Sequence, residues 1–495
     1  MSFKRPRIAL DDPDLFGNDA GEDEPIDNLR EYFVSKSEYA RFLEPDLRLC
    51  IVKARKGIGK SALLKYFAHV VETERKELCC FINGRDLSRV FRLEPQHLND
   101  TNRIVAEWEA AICRVLAAFL GERIGLAVTD DAISLVETAE ILGRRPKNVV
   151  SSIVSRLKVP QLEVKVSEAI ASPEPIARYL GGTDNAPPLW IVVEDLDATF
   201  LRTTEQVRVV SGFFNACRDM VNTIPTLHIR TSVRSDVWTL IKTGDESLDK
   251  VVQYLVEPEW REEETRQLLA RRIRHYFRKK GIIRATETVS EDWLIEQVFN
   301  SPFFWGGGDR TRPPHVVIHT MSMHRPRWAI QLCKLAGKAA RNNHENKIES
   351  ANVTGVFHEY GMLRLDDLRR EHEHQCPQIQ ELMDAFKAGP NLYSESELLK
   401  RIKNNILSHA AISIDGSRRT QEKDIAHFLH RIGLITARRD NPDGNYVHIP
   451  FSQMSHHFES RTAAVAPVDW EIHPVYRDAL GTVDLPRKQD NRGRY

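Results

Sequence analysis

Cysteine is scarce. There are seven in 495 residues, an odd number, scattered, with no C-x-x-C pair. That excludes a disulfide framework and the paired-cysteine metal or redox sites, and it predicts a reducing, cytoplasmic compartment. Long apolar runs are missing as well, so no membrane span is expected. Residues 1–25 (MSFKRPRIALDDPDLFGNDAGEDEP) hold no apolar core of the kind a secretory signal needs. Net charge is also absent, with 70 Lys+Arg against 70 Asp+Glu, so attraction to nucleic acid or anionic lipid would have to come from a local patch. What the chain does have is 41% apolar and 28% charged residues, a globular balance, at a length that predicts about three domains.

Apolar runs separated by helical patterns mark the first half. A polar, acidic arm opens the chain, and Pro25–Phe42 reads as one amphipathic helix. Strands are expected at Leu47–Val52, Glu77–Ile82, Leu189–Val193, Thr226–Val233 and Val252–Val256, and helices at Ser61–Glu72 and Thr204–Asn222. Residues 102–180 read as mostly helical, with a loop at Arg144–Lys147. Pro187 and Pro188 punctuate the chain before the third strand. Strands alternating with helices predict a parallel α/β sheet covered on both faces. Beyond Glu257 the pattern turns helical: Glu262–Lys280 and Pro326–Asn342 are helices, and Phe303–Pro314 is a Gly- and Pro-rich loop. The adjacent Cys79 and Cys80 read as packing residues of a buried strand.

The string ARKGIGKSALLKYF, Ala54–Phe67, lies directly between an apolar strand and a helix. That is the setting a phosphate-binding loop requires. Gly57 and Gly59 free the backbone to turn its N–H groups inward, and the helix that follows adds its positive end. The predicted phosphate contacts are Lys56, Gly57, Ile58, Gly59, Lys60, Ser61 and Ala62, with Lys60 on the outer phosphates and Ser61 on Mg²⁺. Ala54 stands where the usual G-x-x-x-x-G-K-[ST] pattern has its first glycine. A nucleotide site also needs an acid at a strand end. WIVVEDLDATF, Trp190–Phe200, places Glu194, Asp195 and Asp197 there. Glu194 and Asp195 are the candidates for Mg²⁺, and Asp195 is the stronger candidate for polarising the attacking water.

With KGIGKS (Lys56–Ser61), VVEDLDA (Val192–Ala198) and SVRSD (Ser232–Asp236), the chain resembles the AAA+/STAND group of P-loop ATPases, closest to bacterial members. The resemblance covers about Leu47–Asn342. It implies ATP and Mg²⁺ as ligands, with ATP hydrolysis as the activity. It also implies that Arg234, at the end of the fourth strand, senses the γ-phosphate. HRPRWAIQLCKLA, His324–Ala336, is similar to the lid helix of initiator-like members, which implies a second sensor at Arg327. An oligomeric member would also need an arginine finger, for which Arg202, Arg208 and Arg218 stand as candidates. Similar bacterial proteins are linked to mobile elements or anti-phage defence beside a separate effector chain.

The C-terminal third reads as a winged helix. Ser394 and Glu397 have capping-box spacing at the start of one helix, Thr420–Ile435 is a second, and Leu434–Phe451 is a hairpin turning at Asn441–Gly444. Arg418, Arg419, Lys423, Arg431, Arg438 and Arg439 form a basic set diluted by Glu422, Asp424 and Asp440. His372, His374 and Cys376, like the His456–His457 pair, read as solvated polar positions rather than metal ligands.

The fold class expected is therefore an α/β, parallel P-loop NTPase sheet with a helical lid and a C-terminal winged-helix-like region. The domains would be arm 1–46, core 47–257, lid 258–345, helical linker 346–392, winged helix 393–462 and tail 463–495. The function expected is a cytoplasmic ATP-driven switch that assembles as a homo-oligomer and regulates an effector. A DNA-binding initiator or transposition-type ATPase and a non-hydrolysing nucleotide scaffold are the alternatives.

Overall fold

The computed structural model describes residues 8–125, 127, 129–145, 170–181, 188–197, 200, 203–305, 309–440, 446–449, 451–454, 457–458 and 468–484. Arg202, Pro187, Pro146–Lys147, the Asn441–Gly444 turn and His456 lie outside them. The described residues fall into two compact units, one holding Asn18–His275 with Arg325–Arg327, the other holding the rest. No described helix is long and apolar enough to cross a membrane.

The first unit is built on five parallel strands, β1 (Leu49–Ala54), β2 (Leu78–Asn83), β3 (Leu189–Glu194), β4 (Leu227–Arg234) and β5 (Leu255–Val256), in the order β2-β3-β4-β1-β5. Both faces are buried, so β1, β2 and β3 are nearly continuous apolar runs, while β4 also carries the buried polar residues His228, Arg230, Thr231 and Ser232. Leu49, Ile51, Ile191, Val193 and Ile229 pack on one face with Trp108, Leu116, Phe213 and Phe214. Cys50, Val52, Cys79, Trp190 and Val192 pack on the other with Phe42, Leu63, Leu64 and Phe67. All seven cysteines are free and buried.

Three differences from the sequence reading fall in this unit. Pro25–Phe42 is not one helix but two, Ile26–Tyr32 and Ser37–Leu43. Phe33 turns extended (φ −61°, ψ 125°), and Val34, buried in the break, fixes the change of direction. The predicted fifth strand shortens to Leu255–Val256 because Val252–Tyr254 form a 3₁₀ turn. β4 carries a fully buried arginine, Arg230, that the apolar pattern gave no reason to single out. Its Nε donates to Phe42 O (2.7 Å), Nη2 to Glu44 O (2.8 Å) and Nη1 to Ile229 O (3.0 Å). Trp190, Phe67 and Phe42 present their rings to it at 4.8, 5.4 and 5.6 Å. The guanidinium thus ties down the segment that leads into β1.

In the second unit the helices Glu291–Val298, Pro314–Met321, Ser350–Gly355 and Phe357–His372 precede a four-stranded antiparallel sheet. The Gly- and Pro-rich loop holds a small hairpin, β6 (Phe303–Phe304) with β7 (Thr311–Arg312); its three glycines lie outside the described residues. Further on come β8 (Leu392–Tyr393), β9 (Ile412–Ile414), β10 (Ser417–Arg419), β11 (Ile435–Asp440), β12 (Tyr446–Ile449) and β13 (Asp469–Ile472). The helix Glu395–Ile402 has the Ser394/Glu397 capping box, the helix Glu422–Ile432 stops at Gly433 (φ 82°), and β11 pairs with β12 as a hairpin.

The expected tail needs correction. Residues 469–480 form β13, which lies between β11 and β8, and the helix Pro474–Leu480. The alternation that marks a half-buried strand is hidden here. Trp470 and Ile472 are buried, but so is Glu471, which Arg438 (3.4 Å), His448 (3.2 Å) and Arg477 surround. Cys376 is buried below the end of the helix Phe357–His372, and His372 Nδ1 contacts Gln375 Oε1 (2.7 Å). Among the described residues no group of three or more His, Cys, Asp and Glu is arranged to hold a metal ion by itself.

Candidate nucleotide site

β1 runs into Ala54, and the chain then turns through Gly57 (φ 84°) and Gly59 (φ 105°) into the helix Lys60–Val70. Both glycines sit in the left-handed region, which residues with a side chain rarely adopt. Gly59 caps the helix with backbone only. No side chain accepts from its first N–H groups, and no acid lies in its first turn. Those donors therefore face the loop, ready for an anion. Trp260 Nε1 donates to Ile58 O (2.9 Å) and Arg325 Nη1 to Lys56 O (3.5 Å), which fixes the loop from outside.

Strand register brings the acids to the same place. β3 ends at Glu194, and the Ser61 hydroxyl at the start of the helix pulls its carboxyl down. Glu194 is only 9% exposed, and its Oε1 is buried with no protein partner. Burial pushes its carboxyl above the ordinary range, against the pull of Ser61. Asp195 has φ 52°, and burial also raises its carboxyl, with Lys60 pulling the other way. Asp197 is buried; its Oδ2 accepts from Arg234 N (2.7 Å) and Arg234 Nε (3.3 Å). Arg234 is the register partner of Ala54, so the β1–β4 pairing sets it next to the loop's first residue. Lys60 Nζ donates to Ala54 O (3.4 Å). Burial depresses its ammonium, and Asp197 and Asp195 hold it up.

Arg327 completes the group. Its N–H donates to Gly57 O (3.3 Å) and its Nη2 to Glu22 Oε1 (2.8 Å). A cavity of about 240 Å³ joins these residues, lined by Lys56, Gly57, Gly59, Lys60, Ser61, Ala62, Asp195, Asp197, Arg234 and Arg327. Away from the loop its wall turns aromatic, with Tyr32, Phe33, Tyr39 and Trp260. There Arg272 lies 4.6 Å from the Tyr32 ring, and Lys36 lies 4.1 Å from the Trp260 ring and 3.5 Å from Glu264. Burial lowers Lys36 to about 8.

Of the residues singled out for the site, all but Ile58 and Glu194 line this cavity; Ile58 offers its carbonyl to Trp260, and Glu194 ends β3. Of the finger candidates, Arg208 is bonded to Asn99, Arg218 lies 3.5 Å from Asp219, and Arg202 is outside the described residues. Three participants escaped the sequence reading. Glu22 belongs to an acidic stretch that reads as solvated. Arg325 is one of two arginines in HRPR, and only the other was singled out. Gly84 follows β2, and a methyl group there would collide with the Asp195–Leu196 backbone. The Asn83-Gly84 dipeptide at a strand end was the available signal.

A strand-to-helix loop of this form after the first strand of a parallel β2-β3-β4-β1-β5 sheet, with acids at the end of β3, defines the α/β P-loop NTPase fold. The family model described as the FunZ-associated C-terminal helical domain matches residues 263–369, well under half of the chain. No curated protein matches. Among solved structures, the chain is similar to the Aeropyrum pernix ORC2 protein in its ADPNP-ADP complexes (12% identity, 92% of this chain and 90% of that one, TM-score 0.39). It is similar also to Drosophila ORC bound to DNA (12%, 93% and 94%, TM-score 0.34) and to Cdc6p from Pyrobaculum aerophilum (12%, 90% and 97%, TM-score 0.30). The strand order and the loop define the fold class without these distant likenesses.

Proposed function

We propose that this chain is an ATP-binding and ATP-hydrolysing switch of the AAA+/STAND-like kind. The observation that carries the reading is an uncapped helix start that brings Ser61 into one cavity with Asp195, at the end of a strand whose Glu194 has one oxygen buried and unpartnered. A hydroxyl and a carboxylate so placed fit a divalent cation. Ser61 and Glu194, with Asp195 beside them, would hold Mg²⁺, which neutralises phosphate charge when bound. In this reading the backbone from Lys56 to Ala62 cradles the phosphates, and Lys60 neutralises the outer ones. Asp195 orients and polarises the attacking water. Asp197 keeps Arg234 aimed at the γ-phosphate, and Arg327 adds a second guanidinium. The aromatic end of the cavity suits a flat nucleobase.

Phosphate release tests hydrolysis. Wild type is expected to turn over ATP, while Glu194→Gln and Asp195→Asn retain ATP and release phosphate at least ~100-fold more slowly, the scale of losing one preorganised group. Wild type with tight binding and no turnover above that of Lys60→Ala would leave the non-hydrolysing scaffold instead.

The motif resemblance extends the reading to a homo-oligomer that forms with ATP and acts on a separate effector, in defence against phage or mobile elements. Arg327 stands at the start of the helix Pro326–Asn342, where phosphate contact would bear on the residues that follow. Light scattering with and without ATP-Mg reads the assembly directly.

DNA binding is the second reading, favoured by the helix, helix and hairpin of residues 395–449. Part of its basic set is internally neutralised: Arg431 pairs with Asp415 (2.8 Å), Arg438 with Asp440 (2.8 Å) and Arg419 with Asp424 (4.0 Å). A shift assay at two salt concentrations with Arg418→Glu/Arg439→Glu discriminates, since phosphate contacts are salt-dependent.

A further inference from the structure

The acidic arm does more than lead into the fold, because one of its carboxylates reaches the phosphate cup. The arm backbone is fastened at several points. Lys65 Nζ donates to Glu22 O (3.0 Å) and Glu24 O (2.6 Å). A methyl group on Gly21 would stand 2.7 Å from the Ala62 Cβ, so only glycine brings the arm this close to the helix that starts at Lys60. Glu24 is buried and accepts from Asn18 N (2.8 Å) and Asn28 Nδ2 (2.9 Å), and Arg272 Nη1 donates to Asn18 O (2.7 Å). These contacts use the arm's backbone and the Glu24 side chain. The Glu22 side chain is left for the cavity, where it pairs with Arg327.

We infer that Glu22 is a resident anion of the cup: its carboxylate holds Arg327 in the nucleotide-free protein, and the phosphates of an incoming nucleotide must take that guanidinium from it. This rests on the nucleotide reading above. A carboxylate and a phosphate offer a guanidinium the same paired oxygens, so the two compete for one partner. The pair is 2.8 Å long, with the Glu22 side chain 42% and Arg327 24% exposed. An ion pair that open is weak enough to exchange. Arg327 is held to the loop independently through its N–H and Gly57 O, so it stays in place when its side chain changes partner. When the Glu22 carboxylate gives way, the arginine is free to take the phosphates. The arm becomes an autoinhibitory contact that nucleotide releases.

Calorimetry with ATP-Mg on the full chain tests this with wild type, Glu22→Gln, Arg327→Ala and the double variant. Glu22→Gln keeps the shape and hydrogen-bonding reach and removes the charge. It is expected to tighten ATP by about tenfold, a differential of ordinary coupling size, and to have no effect in the Arg327→Ala background. Amide exchange over residues 18–24 is expected to speed up when wild type takes ATP-Mg. Unchanged or weaker affinity in Glu22→Gln overturns the inference, as does an equal gain with and without Arg327, or slower exchange of the arm on binding. ATP bound in a Lys60-dependent manner but indifferently to Glu22 would remove this inference alone. No ATP bound by wild type or Glu22→Gln would remove the nucleotide reading too.

Discussion

Lys60→Ala is expected to weaken ATP-Mg binding by at least ~100-fold, about 2.7 kcal/mol, measured by calorimetry against wild type. The ammonium is recessed behind the loop and faces Asp195 and Asp197. Its burial is already unfavourable and is offset by those two acids. A triphosphate adds the larger negative charge, and Lys60 is the cation that the loop itself sets facing those acids. In the variant, Asp195 and Asp197 lose the lysine, and Arg234, already bonded to Asp197, does not replace it at the loop, so the cavity attracts phosphate less. The protein should stay folded, since the substitution removes a buried charge and leaves the loop's backbone bonds intact; a thermal melt near that of wild type separates lost binding from lost structure. Unchanged affinity would mean that the cup between Ala54 and Ser61 is not the ligand site.

Arg230→Met is expected to destabilise the first unit by about 2–3 kcal/mol, the scale of leaving buried carbonyls without their donors. The side chain is fully buried in β4, and burial lowers its guanidinium to about 10, so it remains a cation at neutral pH. Its donors go to carbonyls of Phe42, Glu44 and Ile229, and its faces go to rings. Methionine fills much of the volume but supplies no donor, leaving buried carbonyls unpaired. Arg230→Lys should fall between, because a point charge with three donors cannot copy a planar fork among rings. Urea unfolding followed by the fluorescence of Trp190, 4.8 Å from the guanidinium, reads both. The anchored segment feeds β1 and thence the phosphate loop, so ATP affinity should fall with stability. A change under 1 kcal/mol would show the cage to be dispensable.

How much of this was legible depended on what buries each element. β1 and β3 stood out because helices cover both faces and leave no polar alternation, and β4 because its β-branched and apolar residues lie between turn signals. The loop stood out because its glycines and Lys60-Ser61 must occur in that order. The helix Pro326–Asn342 matched residue for residue, from the proline at its start to the asparagine at its end. Elements whose polar residues are satisfied by distant partners were hidden. Glu471 reads as a solvent position until Arg438 and Arg477, one from another strand and one from the next helix, surround it. Glu22 reads as part of a solvated run until it meets Arg327, some three hundred residues away. Gly84 carries no chemistry of its own and matters only through the backbone that passes over it. Long-range pairing decided each of these, and local periodicity does not encode it.

The position of β13 has a consequence for how the protein is made. It sits inside the C-terminal sheet, hydrogen-bonded to β11 on one side and β8 on the other. A growing chain that has released residues 392–449 from the ribosome therefore holds two sheet fragments with a gap between them. Each presents an open edge to neighbours. Closure waits for residue 472 to emerge, and stalling shortly before that point should yield aggregation-prone nascent chains.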